Sequence, residues 1–401
     1  MKFLPSMGVI SLVFFSANAI SQTITSSAIY EGKIGNGNFT MHLDKNITPN
    51  GKTIYGGEYF YNSQRKIINL LPVSETNPNK YYEVPYNCYD LEDKCKPKAT
   101  IEIDDMFAPK KGFFTNLTNN KQIPITFSFV KIVQSNKNDK PLLEYKNNEY
   151  FARGDIFYSK LTSSGFEYSK ETKMGVFATK MAFDKFTKVS MPLITRHPDV
   201  KAMNSANAWL QDLHYNSVLS ALECYAYDTG EYGGGGTFGS EEETKNEIKY
   251  ITKNMLVLNS AGSTYCGGAH PNNFIYNNIW DFTRNQEMDL AHYFDFYLPK
   301  QKNEEAKYNA KYRKLVSRLK PNSKYVINGM NIDKETIEEC FSEDYPVEFS
   351  LSFNQKGMVF SISDVPHVMG GCMGDYYIIP YKELVPFMTK SGKNFFAEQL
   401  K

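Results

Sequence analysis

The sequence predicts an α+β fold: antiparallel sheets with packed helices in a C-terminal domain, preceded by a small mostly-β domain. Three patterns lead there. Short runs alternate apolar and polar residues, as in Phe39, Met41, Leu43 and in Val347, Phe349, Leu351, Phe353, the period of a half-buried strand. Two longer stretches space their apolar residues three and four apart, which is the period of a helix. Strands come in hairpins rather than alternating singly with helices, which argues against a parallel doubly wound sheet.

The chain opens with Lys2, an apolar run over residues 3–15 and the small-residue string Ala17-Asn18-Ala19. These are the three parts of an export signal, residues 1–19, so cleavage is expected near Ala19, leaving a periplasmic or secreted protein. The run is far short of the roughly 20 apolar residues of a membrane-spanning helix. No later segment is apolar enough to span a bilayer, so no membrane span is expected in the mature chain. Lys and Arg number 45 against 44 Asp and Glu, a net charge of +1 without a long basic block. Nucleic acid is therefore not an expected partner, because its binding depends on clustered cations.

Residues 26–133 read as the β-rich N-terminal domain. After the strand at Phe39 to Leu43 come runs over 54–61 and 67–71, joined by the turn residues Asn62-Ser63-Gln64. Ile101 and Ile103 mark another strand, and 123–133 a longer one entered through Pro124, a residue that suits the start of a strand. Residues 134–148 are polar and read as a linker, and 149–401 as the second domain. There Met191-Pro192-Leu193-Ile194 ends a strand, and a helix follows over 199–224. Its expected buried face is Val200, Met203, Ala206, Leu210, Leu213 and Ser217, with Asp199 at the N-terminus where a capping carboxylate is favoured. Strands are expected at 249–258 and 273–282. A second helix is expected over 303–320, with Tyr308, Tyr312, Leu315 and Leu319 inward. Asn354-Gln355-Lys356-Gly357 turns a hairpin, 376–380 is a last strand, and a short helix begins at Tyr381.

All six cysteines follow the export signal, and an even number in an oxidising compartment reads as disulfides. Cys88 and Cys95 would close a small loop. Cys224, Cys266, Cys340 and Cys372 allow three pairings, of which Cys224–Cys266 and Cys340–Cys372 join segments adjacent in chain order. No Cys-x2-Cys pair suggests zinc, and His270, Asp281, His292 and Asp295 lack the spacing that puts ligands on one helix face. No metal and no cofactor are expected.

Two strings stand out. Thr264-Tyr265-Cys266-Gly267-Gly268-Ala269-His270-Pro271 is either a structural loop with a disulfide or a thiol and its base. The glycine-rich stretch 228–239 leads into Glu241, Glu242 and Glu243. It has no Gly-Lys-Ser/Thr and so is no phosphate loop. As a binding loop it would offer Tyr232 and Phe238 as aromatic anchors and the three glutamates to steer a basic partner. There is no Gly-x-Ser-x-Gly elbow, and no catalytic residue is assigned.

Several strings over residues 188–388 carry a family resemblance. They are Met191-Pro192-Leu193-Ile194 with Asn204 and Asn207, Gly267-Gly268-Ala269-His270-Pro271, Trp280-Asp281-Phe282 with Asp289-Leu290 and Phe294, Gly357-Met358-Val359-Phe360, and Ile379-Pro380-Tyr381-Lys382-Glu383-Leu384. Together they resemble the RsiV-like, PdaC-associated secreted domain of unknown function, the extracellular domain family of lysozyme-sensing anti-sigma factors. The resemblance implies binding at the cell envelope, with a lysozyme-like or other peptidoglycan hydrolase as partner. Neither a sigma-binding segment nor a deacetylase domain is present, so those activities do not carry over. The expectation is an exported protein that binds or inhibits such an enzyme, with contacts around 230–243 and His270. Two alternatives are an envelope hydrolase or glycan-modifying enzyme using His270, and a non-catalytic module that binds peptidoglycan itself.

Overall fold

The computed structural model describes residues 23–47, 51–74, 77–88, 91, 95–134, 156–162, 165–227, 238, 240–267, 271–296, 308–327, 340–341, 349–363, 365 and 367–401. The export signal, and all of the expected linker but its first residue, lie outside them. The protein is α+β, as its patterning predicts, and its described residues fall into two compact units. The first takes those of Met1–Gln64, Ile68–Val84 and Cys88–Phe157; the second takes Arg65–Ile67, Pro85–Asn87 and Tyr158–Lys401.

In the first unit the eight strands are β1 Thr23–Ile34, β2 Gly37–Ile47, β3 Thr53–Tyr61, β4 Ile68–Ser74, β5 Asn77–Val84, β6 Ala99–Ile103, β7 Gly112–Asn116 and β8 Gln122–Gln134. Each pairs with the next, and β8 returns to β1, closing a barrel. Closure needs β1 to bend, and its register shifts between Glu31 and Gly32 where it meets β8. Gly32 permits this: a Cβ there would sit 1.9 Å from the Thr126 carbonyl oxygen. Alternate residues point inward, so Phe39, Met41 and Leu43 of β2 join Tyr30, Tyr59, Tyr81 and Ile101 in the core. Eight strands leave an interior about wide enough for side chains to fill. Cys88 and Cys95 are bonded between β5 and β6.

Burying tyrosines brings polar atoms into this core. The Tyr81 hydroxyl donates to the Pro78 carbonyl at 2.6 Å, and the Tyr59 hydroxyl donates to Glu83. Burial raises the Glu83 carboxyl above its ordinary value, against the opposing pull of the Tyr59 hydrogen bond and Lys98. A raised native pKa means that Glu83 supports folding below its unfolded pKa and loses that contribution as pH rises through the native one. Glu83→Gln keeps an acceptor for Tyr59 without the buried charge. The variant is expected to melt above wild type at neutral pH and level with it near pH 4, about the unperturbed carboxylate value. Equal melting temperatures at both pH values would show that Glu83 is not ionised against burial.

Among the described residues the second unit contains three sheets. In the first, β11 Phe177–Asp184 pairs with β9 Phe166–Tyr168, β10 Thr172–Met174 and β12 Ser190–Arg196. The second runs β13 Ser240–Ile251, β14 Met255–Thr264, β15 Asn272–Asp281 and β16 Gln286–Glu287, and the third β17 Ser350–Phe353, β18 Gly357–Ile362 and β19 Gly374–Pro380. The helices include α1 Ile156–Thr162, which begins in the first unit, α2 Val200–Ala226, α3 Leu290–Tyr293 and α4 Ala310–Val316. The β13–β16 sheet is a middle layer. Leu256, Leu258 and Trp280 pack with α2 residues Ala206, Trp209 and Leu210. The alternate residues Met255, Val257 and Ile279 join the aromatic core of Phe294, Phe296, Phe353, Phe360, Tyr377 and Phe396.

Several expectations are corrected. The helix over 199–224 is α2, and Asp199 caps it by accepting from the Ala202 N–H at 2.9 Å. Its buried face is rotated, however, to Ala202, Ala206, Trp209, Leu210, His214, Val218 and Leu222, while Val200 is 61% exposed. Large aliphatics suggested one stripe; Trp209, stacked on Trp280 at 5.1 Å, sets another. His214 fits this face because its ring nitrogen Nε2 donates to the Val189 carbonyl at 3.1 Å. The single strand expected at 249–258 is two strands, turned where Thr252 Oγ1 accepts from the N–H groups of Asn254 and Met255. Apolar residues on both arms hid that turn. The helix expected over 303–320 is only α4 among the described residues, started by Asn309, whose side chain accepts from Lys311 and Tyr312. Residues 297–307 lie outside the description, and Tyr312 and Leu315 are buried as expected. Cys224–Cys266 and Cys340–Cys372 are the pairs formed.

Candidate functional site

The two strings singled out in the sequence meet at one end of the middle sheet. Ser240 lies opposite Thr264 and Glu242 opposite Ser263, so the backbone of the acidic run borders the end of β14. The chain then turns through Tyr265, Cys266 and Gly267 toward β15, where Asn272 returns opposite Thr264. Gly267 has φ +105°, a left-handed conformation that side chains other than glycine's resist. Tyr232 and His270 lie outside the described residues, as do the side chains of Glu241, Glu242 and Glu243.

Two devices hold this end. The Cys224–Cys266 disulfide ties the last turn of α2 to the hairpin, with Cα atoms 5.0 Å apart. Bonded in this way, Cys266 is not a free thiol nucleophile. Phe238 is half-buried, with its ring 5.1 Å from Phe186 and 5.0 Å from Tyr225. The Arg65 guanidinium lies over Phe186 at 5.5 Å, and the Lys66 ammonium over Tyr225 at 5.6 Å. Phe238 is thus committed in part to fixing the chain just before β13.

Sequence reasoning missed an aromatic pair on the same sheet. Phe274 and Tyr276 of β15 stack with centroids 5.5 Å apart and planes 19° apart, and Tyr276 is 48% exposed. Aromatics two apart in a strand share a face, which is the signal that could have found them. Asp281 and Asp295 are explained locally. Asp281 is fully buried and accepts from the Thr283 N–H and hydroxyl, the Arg284 N–H and the Tyr293 hydroxyl, which fastens the turn after β15. Asp295 pairs with Lys311. Among the described residues no group of three His, Cys, Asp or Glu side chains is placed to hold a metal ion.

The barrel carries a second polar cluster that the sequence reading did not find. His42 and Asp44, two apart on β2, share a face, and Ser27 stands opposite Asp44. The Ser27 hydroxyl donates to Asp44 Oδ1 at 2.7 Å and contacts His42 Nε2, which lies 3.1 Å from the same carboxylate oxygen. A nucleophile–base–orienter relay uses both ring nitrogens; here serine and aspartate meet the same one. His42 and Asp44 line a pocket with Ile54, Tyr55, Gly56, Gly57 and Glu58.

No protein-family model matches the chain, and no curated protein matches it. Among solved structures it is similar to the crystal structure of a member of the DUF3298 family from Bacteroides fragilis. The two are 13% identical with a TM-score of 0.33, over 59% of this chain and 97% of that one. A likeness this distant carries no argument about function. The three disulfides are those expected of a chain folded in an oxidising, extracytoplasmic compartment. No described helix is long and apolar enough to cross a membrane.

Proposed function

We propose that the chain is an exported binding protein of the cell envelope, periplasmic or secreted. Its target is a lysozyme-like or other peptidoglycan-degrading enzyme, which it inhibits. The observation that supports this reading best is the meeting of the acidic run with the Tyr265–Cys266–Gly267 turn at one sheet end. That end is braced by a disulfide and by the Phe186, Tyr225 and Phe238 cluster. A surface held in shape before contact loses less freedom on binding, which favours affinity. The glutamates of that run would steer a basic enzyme and repel acidic ones.

The test is turbidity loss of a cell-wall suspension with purified lysozymes, with and without the oxidised protein. Lysis is expected to slow at near-equimolar ratios. E241K/E243K should weaken inhibition by roughly tenfold at low salt and by less at high salt, as screening removes the steering term. Unimpeded lysis across the panel would end the proposal. Wall turnover by the protein alone, abolished in His270→Ala, would replace it with the hydrolase. Sedimentation with sacculi irrespective of added lysozyme would replace it with a peptidoglycan-binding module.

A further inference from the structure

Strand β15 pairs with β14 along its full length, from Asn272 to Asp281. On its other side β16 covers only Trp280 and Asp281. The Ile279 carbonyl accepts from the Met288 N–H, so the backbone groups of Ile279 point away from β14. Backbone direction alternates along an antiparallel strand, so those of Asn273, Ile275 and Asn277 point the same way. Among the described residues no strand is hydrogen-bonded to these three positions. Soluble proteins usually guard an open edge with lysine, proline or a bulge. From Asn272 to Asn278 there is none of these, and no charge.

The segment reads Asn272-Asn273-Phe274-Ile275-Tyr276-Asn277-Asn278, the same residue classes in both directions about Ile275. A two-fold interface places each residue of one copy against its symmetry partner in the other. We infer that two copies of this chain pair antiparallel through β15 about a two-fold axis at Ile275, extending the sheet of one copy into the other. The hydrogen-bond pattern fits that centre. Ile275 faces Ile275 of the second copy, and Asn273 faces Asn277; both are positions with outward N–H and C=O groups, so both become hydrogen-bonded pairs. Phe274 then meets Tyr276 in the closer, non-hydrogen-bonded positions, where aromatic cross-strand pairs are favourable.

Sedimentation of the oxidised chain over a concentration series tests the inference, and a species of twice the monomer mass is expected. Ile275→Pro removes an outward N–H and leaves the β14 ladder intact, so the chain should fold and dimerise roughly 10–100-fold more weakly for two lost hydrogen bonds. F274K/Y276K sets like charges across the axis and should be monomeric. F274E/Y276K sets opposite charges in the same places and should recover the dimer. A wild-type chain that stays monomeric at high concentration would overturn the inference. So would a dimer indifferent to both Ile275→Pro and F274K/Y276K, or an F274E/Y276K variant as monomeric as F274K/Y276K.

Discussion

Asp184→Ala is expected to destabilise the second unit by about 3–5 kcal/mol, the cost of breaking a buried ion pair by removing one partner. The Arg65 guanidinium meets both carboxylate oxygens, at 3.1 and 2.9 Å. Both side chains are almost wholly buried, at 4% and 1% exposure. Asp184 also accepts from the N–H groups of Phe186 and Thr187 and from the Thr187 hydroxyl, so it shapes the turn between β11 and β12. Arg65 has fewer alternatives: its Nε donates to the Leu161 carbonyl at 2.6 Å, and its Nη2 is buried without a partner. Removing the carboxylate strands a buried cation with one acceptor; removing the guanidinium leaves a carboxylate with three donors. Arg65→Ala should therefore cost less than Asp184→Ala. Urea unfolding of both variants measures the difference. A loss below about 1 kcal/mol for Asp184→Ala, typical of an exposed pair, would show that the pair is hydrated.

The Arg65–Asp184 pair also marks where sequence reading stops. Its partners are 119 positions apart, and no periodicity joins them. Local signals did better. The turn at Asn354 is held by that side chain, which accepts from the N–H groups of Lys356 and Gly357, and such chemistry is written within four residues. The Asp199 cap is local in the same sense. Disulfide pairing was legible because an oxidising compartment and an even count left few choices for Cys224, Cys266, Cys340 and Cys372. Barrel closure was not, because it depends on β1 finding β8 about a hundred residues later, which no turn residue encodes. The α2 face was misjudged because its register follows from Trp209 stacking on Trp280 of β15, a contact with a distant strand. The candidate site divides in the same way. Its strings were visible as unusual composition, but their meeting is a product of the β13–β14 register, and Phe274 with Tyr276 passed as ordinary strand residues.

The C224A/C266A double variant is expected to lose about 4 kcal/mol, the loop-closure entropy restored to the unfolded chain by opening a bridge across a sequence separation of 42. The Cys88–Cys95 bridge spans a separation of 7, and on the same reasoning its loss should cost only about 2.5 kcal/mol. The larger bridge also joins α2 to the β14–β15 hairpin, so its removal acts on the native state as well. Amide exchange at Ser263, Thr264 and Asn272 should then speed up more than exchange at Leu256 or Trp280, which the α2 packing holds independently. If the proposed binding surface depends on being held in shape, the proposed inhibition should fall further than the folded fraction does, because the freed hairpin must be reordered on contact. Inhibition that falls only in proportion to unfolding would make the bridge a staple of the fold alone. Unchanged stability in the double variant would mean that Phe186, Tyr225 and Phe238 fix this end of the sheet without it.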